Sequence, residues 1–345
     1  MIEKIIPQGS IDAIEKIISE NERFVLLSHK NPDGDALGSS LALCHYLKAR
    51  GKEAVVVLPN QFPEFLAWLP GAGDVILYEK ESEKANDVIG KADVFFCLDF
   101  NALNRIGAVS DAVVNSKSPK ILVDHHLFPA DDFVVKISFS EACSTSELVY
   151  RLVAMLSGDA AVSFDMAQCI YTGMMTDTGA FAYASSCKDI FLIVASLLGK
   201  GIDKDLIYRK VFYSSTLTRM RLQGYAMYKK LKVYNKYNAA LITLDNDELQ
   251  RFYAVKGDTE GLVNQPLQIK DVRFSCFLRE EQPGKINVSL RSVDDFPCNE
   301  VAAEFFNGGG HKNASGGELC CSMADAVNIF VKALKKFEKQ LVCEN

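Results

Sequence analysis

The sequence predicts an α/β protein built on a parallel sheet with helices on both faces, followed by a smaller second domain. Three observations carry this. Short apolar runs alternate with segments of helical spacing through the first half of the chain. Those runs are apolar throughout rather than at every second residue, as burial on both faces demands. The chain has 345 residues, 48% apolar and 24% charged. That is enough for two hydrophobic cores at about 100–200 residues per domain, and it excludes disordered, collagen-like and coiled-coil classes.

The elements follow in order. Ile11, Ile14, Ile17 and Ile18 recur at helical spacing and predict an N-terminal amphipathic helix. Acidic Glu3, Asp12 and Glu15 in the same stretch argue against a signal peptide. Residues 24–27 predict the first buried strand, and 36–49 the helix after it. Strands are predicted at 53–58, 94–98 and 121–123. Helices follow over 145–156, 164–175, 188–198 and 216–230, broken at 199–201. The most apolar stretch, 190–198, is far shorter than the roughly 20 residues of a membrane span. After Leu231 the pattern changes to strands at 239–244, 273–278 and 285–291, with a hairpin turn at 281–284. A glycine-rich stretch at 308–317 and a closing helix over 324–341 complete the chain. The expected domains are 1–195 and 231–345, joined by a helical linker at 196–230.

Composition narrows function. A net charge of −6 speaks against a long groove for duplex nucleic acid, which needs a lysine and arginine excess. The ten cysteines contain no CxxC and mostly lie in apolar runs, as reduced core cysteines of a cytosolic protein do.

Four segments carry the chemistry. His29, Asp33 and Asp35 lie in the loop leaving the first strand. Asp99 ends a second strand, and Asp124-His125-His126 ends a third. Asp177 closes a helical pattern in Thr-Asp-Thr-Gly. In an open parallel sheet, ligands bind beyond the carboxyl ends of the strands. Carboxylates crowded there repel one another unless cations are present. Mixed imidazole and carboxylate donors suit manganese or a similar first-row metal, and so many donors suit a pair of ions about 3.5–4 Å apart. One such aspartate alone would be an ordinary turn former. Four segments that use three of only five histidines are a different matter. His45, in the middle of a helix, reads as structural.

These segments resemble the DHH phosphoesterase superfamily, named for the triplet present here as Asp124-His125-His126. The run Gly308-Gly309-Gly310-His311-Lys312-Asn313-Ala314-Ser315-Gly316 is similar to the signature of the DHH-associated domain of the first subtype. Family II pyrophosphatases share the first set of motifs but carry a different C-terminal domain. Within the superfamily, the layout is most similar to the nanoRNase/pAp phosphatase (NrnA-like) proteins.

The resemblance implies a parallel-sheet DHH domain, a smaller α/β DHH-associated domain and an active-site cleft between them. It implies two divalent cations, Mn2+ before Mg2+ or Co2+. His29, Asp33 and Asp99 would hold one. Asp35, Asp99, His125 and Asp177 would hold the other, with Asp99 bridging. His126 would contact the substrate phosphate and help protonation, with Asp124 supporting. Gly308, Gly309, Gly310, His311 and Ser315 would bind substrate. Arg291 joins them from strand alternation, which puts Asn287, Ser289 and Arg291 on one polar face; Arg279 is a weaker candidate. Asn307 departs from the family pattern, where another glycine is common.

The implied activity is hydrolysis of very short oligoribonucleotides to 5′-mononucleotides, and of 3′-phosphoadenosine 5′-phosphate (pAp) to AMP and phosphate. Alternatives are a cyclic- or linear-dinucleotide phosphodiesterase, a RecJ-like exonuclease, an exopolyphosphatase and, outside enzymes, a nucleotide-sensing module. Expected partners are short RNA and small phosphorylated nucleotides, in the cytoplasm, with no long duplex and no membrane; a homodimer stays open.

Overall fold

The computed structural model describes residues 2–255 and 257–342, which divide into two compact units between Ser214 and Ser215. In the first, α1 (Gln8–Glu20) precedes β1 (Arg23–Leu27), α2 (Gly34–Ala49), β2 (Glu53–Leu58), β3 (Ile76–Leu77), α3 (Ser82–Lys91), β4 (Val94–Leu98), α4 (Ser110–Val114), β5 (Lys120–Asp124) and β6 (Val135–Ser138). Helices α5 (Thr145–Ser157), α6 (Phe164–Asp177), α7 (Lys188–Gly199) and α8 (Lys204–Phe212) follow. The strands form one sheet in the order β3-β2-β1-β4-β5-β6, and every pair is parallel.

Alternation along the strands explains why they are apolar throughout. Phe24 and Leu26 of β1, Phe96 and Leu98 of β4, and Ile121 and Val123 of β5 enter a core shared with α1, α2, α5 and α6. Val25, Leu27, Phe95, Cys97 and Leu122 enter the opposite core, against α3. The edge strands β3 and β6 were not anticipated. The first has two residues, and the second, Val-Lys-Ile-Ser, is only half apolar. Helix α2 is buried on nearly every face. Gly38 lets α6 approach its backbone, since a Cβ there would lie 2.5 Å from the Cys169 carbonyl oxygen. His45 is structural as expected, with Nε2 2.9 Å from the Pro70 carbonyl.

The stretch 196–230, expected as a linker, is divided. Helix α8 belongs to the first unit, and α9 (Leu217–Tyr225) with the π-helical turn Ala226–Lys230 to the second. The second unit continues through β7 (Lys232–Tyr234), β8 (Ala239–Leu244), α10 (Asn246–Arg251), β9 (Phe274–Gln282), β10 (Lys285–Ser292), α11 (Cys298–Phe305), β11 (Gly309–His311), β12 (Ala314–Cys320), α12 (Met323–Lys336) and α13 (Glu338–Val342). Its sheet runs β11-β12-β10-β9-β8-β7. Only the β8–β9 pair is parallel. One face packs on α11 and α12. The closing helix is two helices, separated at Phe337.

The glycine-rich stretch forms a hairpin, β11 and β12. Glycine is required by close approach: a Cβ on Gly308 would lie 1.8 Å from the Gly316 carbonyl oxygen. Asn307 has φ 49°, a left-handed conformation that asparagine adopts more readily than most residues. It therefore occupies a glycine-like position without disrupting the hairpin. The nine described cysteines are all free thiols, six of them buried. Among the described residues, no helix is long and apolar enough to cross a membrane.

Candidate metal centre

Strand order places a topological switch between β1 and β4. The chain leaves β1 toward β2 on one side and returns to β4 on the other, opening a crevice beyond their carboxyl ends. The loop after β1 is held by Asn31, whose amide donates to Asn60 Oδ1 at 2.7 Å. His29 Nδ1 lies 3.0 Å from the Lys30 carbonyl. A carbonyl only accepts, so that bond places the proton on Nδ1. Nε2 then faces Asp99 Oδ2 at 3.3 Å and Asp33 Oδ2 at 3.9 Å. Asp33 also caps α2, its Oδ1 accepting from the amides of Asp35 and Ala36 at 3.0 Å each.

Asp35 sits in the first turn of α2 and is 1% exposed. Its Oδ2 accepts from the Thr145 amide at 2.6 Å, and its Oδ1 from the Ser146 amide at 2.8 Å. Asp99 follows β4 with φ 64°. Its Oδ1 accepts from Thr145 Oγ1 at 3.1 Å and lies 3.6 Å from His125 Nε2. His125 Nδ1 is 3.2 Å from the Ala142 carbonyl, which leaves Nε2 3.3 Å from Asp177 Oδ2. His126 Nδ1 donates to Asp124 Oδ1 at 2.7 Å. The other oxygen of Asp124, Oδ2, is buried with no hydrogen-bond partner among the described residues.

Three groups of donors lie together here, each with its ligand atoms within 4.8 Å of one another. They are His29, Asp33 and Asp99; Asp35, His125 and Asp177; and Asp99, Asp124 and His126. Without a cation their electrostatics conflict. Burial, then the charge of Asp99, pushes the Asp35 carboxyl up to about 7. Burial raises Asp177 in the same way. Burial would lower His29, but its hydrogen bond to Asp99 and the charges of Asp33 and Asp99 raise it to about 9. His125 is likewise raised to about 9, by Asp177, Asp99 and Asp35 against its burial. Burial would raise Asp99, but His29 and the other two imidazoles hold it below the usual carboxylate range. A cluster that keeps protons on buried carboxylates and imidazoles is one that divalent cations would relieve, and oxygen with imidazole donors fits a first-row ion.

Ala314 of β12 pairs with both Arg291 and His311, so these two side chains share one sheet face with Ala314 between them. In the neighbouring row of that face, Ser289 pairs with Gly316, and Gly316 with Gly309. Ser315 needs correction as a substrate contact. It points to the other face, is buried, and its Oγ lies 3.1 Å from Cys298 Sγ. It belongs to the packing against α11, because strand alternation turns it away from Arg291. Arg279 donates to Thr259 Oγ1 and to Glu281, and Phe277 is a core residue.

Sequence reasoning missed Thr145 and Ser146, whose backbone amides hold Asp35, and the Thr145 hydroxyl, which holds Asp99. The Ser144-Thr145-Ser146-Glu147 run marks a helix start, with Ser144 Oγ accepting from the Glu147 amide at 3.1 Å. It does not reveal what that start supports.

The family models match in the same order as these units. The DHH family, N-terminal domain matches residues 23–174, and the DHHA1 domain residues 239–340. The chain is 28% identical to the probable bifunctional oligoribonuclease and PAP phosphatase NrnA of Streptococcus mutans, over 87% of this chain and 90% of that protein. It is 29% identical to the bifunctional oligoribonuclease and PAP phosphatase NrnA of Thermus thermophilus, over 85% of this chain and 83% of that protein. Among solved structures, an exopolyphosphatase-related protein from Bacteroides fragilis is 51% identical, covers 99% of both chains and superposes with a TM-score of 0.95. RecJ of Thermus thermophilus, in complex with Mn2+, shares the fold at 12% identity, with a TM-score of 0.57 over 97% of this chain and 55% of RecJ. The chain belongs to the DHH family, with an N-terminal DHH domain followed by a DHHA1 domain.

Proposed function

We propose that the chain is a two-metal phosphoesterase. It hydrolyses very short oligoribonucleotides to 5′-mononucleotides, and pAp to AMP and phosphate. The observation that carries this reading is a pair of donor groups at one sheet edge, His29 with Asp33 and Asp99, and Asp35 with His125 and Asp177, linked where Asp99 Oδ1 comes within 3.6 Å of His125 Nε2. The names of the two NrnA relatives, bifunctional oligoribonuclease and PAP phosphatase, support the substrates.

In this reading His29, Asp33 and Asp99 hold one cation, and Asp35, Asp99, His125 and Asp177 the other. Manganese is the ion assigned first, ahead of magnesium; RecJ of Thermus thermophilus has been solved with either. When bound, such a pair lowers the pKa of water and stabilises charge on phosphoryl oxygens. The oxygen of water bonds to phosphorus, the bond from phosphorus to the 3′-oxygen breaks, and the departing 3′-oxygen takes a proton. His126 is the residue to which this reading gives that last task. Its Nδ1 is committed to Asp124, so Nε2 is the nitrogen that can touch a phosphate oxygen or hand over a proton. In the second unit, Arg291 and His311, with the Gly308–Gly310 backbone, grip a further phosphate. The planar guanidinium suits that task. The protein works in the cytoplasm.

The test is a substrate panel with the manganese-loaded protein: pAp, RNA of two to five nucleotides, a long single strand, polyphosphate and cyclic di-AMP. Turnover of the first two is expected. Polyphosphate is the informative control, given the name of the Bacteroides fragilis neighbour. Activity confined to polyphosphate or to the long strand would contradict the reading.

A further inference from the structure

Beside His126 lies a cavity of about 350 Å3 whose walls include Phe128, Lys136, Ser138, Phe139 and Ser140. That volume is in the range of small-ligand sites. Phe128 is its unusual member. The side chain is 83% exposed, although a large aromatic ring ordinarily gains by burial. Its backbone has φ 60°, which is strained for a residue with a bulky side chain. The conformation is clamped. Asn101, two residues beyond Asp99, donates from Nδ2 to the carbonyls of Leu127 at 2.8 Å and Phe128 at 3.4 Å. Its own carbonyl accepts from the Ala130 amide at 2.8 Å. The β4 exit that supplies Asp99 thus also holds an aromatic ring out in solvent beside His126. Lys136 pairs with Asp131, which is fully exposed, so that ion pair is weak and yields readily to another anion or hydroxyl.

The chemistry of the two proposed substrates tells what such a cavity would take. In pAp the attacked phosphorus carries one ester, through the 3′-oxygen of adenosine. In a dinucleotide the same phosphorus carries a second ester, to the 5′-oxygen of the next nucleoside. That nucleoside remains on the phosphate in the product, as a 5′-mononucleotide. It needs space next to the reacting phosphorus that pAp leaves empty. An exposed aromatic face on a clamped backbone, with nearby hydroxyls and an ammonium, matches a base and its ribose. Resting on the function proposed above, we propose that the cavity between His126 and Phe128 is the subsite for the nucleoside on the 3′ side of the scissile phosphate, with Phe128 as its stacking platform.

The test compares Phe128→Ala, Phe128→Tyr and the parent chain, each loaded with manganese, on pAp and on a 5′-phosphorylated adenosine dinucleotide. Loss of one stacked base is expected to lower the ratio of dinucleotide to pAp kcat/KM about tenfold or more. The change should appear mainly in the dinucleotide KM, and Phe128→Tyr should restore it. The exposure of Phe128 makes loss of folding in these variants an unsuitable explanation for a selective effect. A ratio that stays within about twofold in Phe128→Ala, or a change in self-association with the ratio intact, overturns the subsite. A parent chain inactive on both substrates would instead overturn the proposed function.

Discussion

Asp124 acts on another side chain, the imidazole of His126, which it fixes by a hydrogen bond. It is fully buried, one oxygen receives His126 Nδ1, and the other has no partner among the described residues. Burial of a half-satisfied carboxylate is costly, so its position is best explained by the ring it fixes. Asp124→Asn should lower kcat for pAp by about 10²-fold, the scale of one misplaced acid–base group. Manganese stoichiometry, read by metal analysis, should stay as in the parent; a fall in bound metal would make Asp124 a ligand instead. At this scale the sequence was informative for chemistry-bearing residues, because few histidines occur and the exits of β1, β4 and β5 each carry an aspartate. It was uninformative for Ser315, because a shared motif does not say which face of a strand a hydroxyl takes. Thr145 was invisible because a threonine at a helix start has an ordinary capping explanation.

At the scale of elements, the N-terminus of α5 supports the centre. Two of its amides meet Asp35, and the Thr145 hydroxyl meets Asp99. Unpaired amides at a helix start favour negative charge. Thr145→Val keeps the shape and the amide and removes only the hydroxyl donor. It should weaken manganese binding about tenfold, as loss of a group that orients a ligand does, and Thr145→Ser should recover most of it. Calorimetric titration separates this from a packing defect, which would lower the melting temperature of the metal-free protein and leave manganese affinity unchanged. The central strands and most helices were legible because uniform apolar runs and helical spacing are strong signals. The edge strands β3 and β6 were not, being short or half polar. Nor was the β11–β12 hairpin, where glycines chosen for backbone contact resemble a loop.

Across the whole molecule, the centre should couple stability to pH. The imidazoles of His29 and His125, each near 6.5 when unfolded, are raised to about 9 in the metal-free fold by Asp99 with Asp33 or Asp177. Their contribution is therefore complete below pH 6.5 and is lost as pH rises through about 9. Asp35, raised from 3.8 to about 7 by burial, acts in the same direction. The native state keeps its proton where the unfolded chain has lost it, so stability falls between these values. Asp99 is shifted the other way, and its contribution is lost only at acid pH. The metal-free protein should thus melt at progressively lower temperature from pH 6.5 to 9. The gain on adding manganese should grow over the same range, because cations compete with those protons. A flat or rising melting temperature in the metal-free protein would contradict the buried, proton-sharing centre.

Asp99 is where these scales meet, since its two oxygens face His29 Nε2 at 3.3 Å and His125 Nε2 at 3.6 Å and the Thr145 hydroxyl holds it in place. The most direct measurement is manganese bound per chain, by calorimetry on metal-stripped protein, for the parent and for Asp99→Ala. Two ions are expected in the parent, with both sites weakened together in the variant and no pAp turnover. A variant that binds two ions as tightly as the parent would contradict the shared-ligand centre on which the proposed function rests.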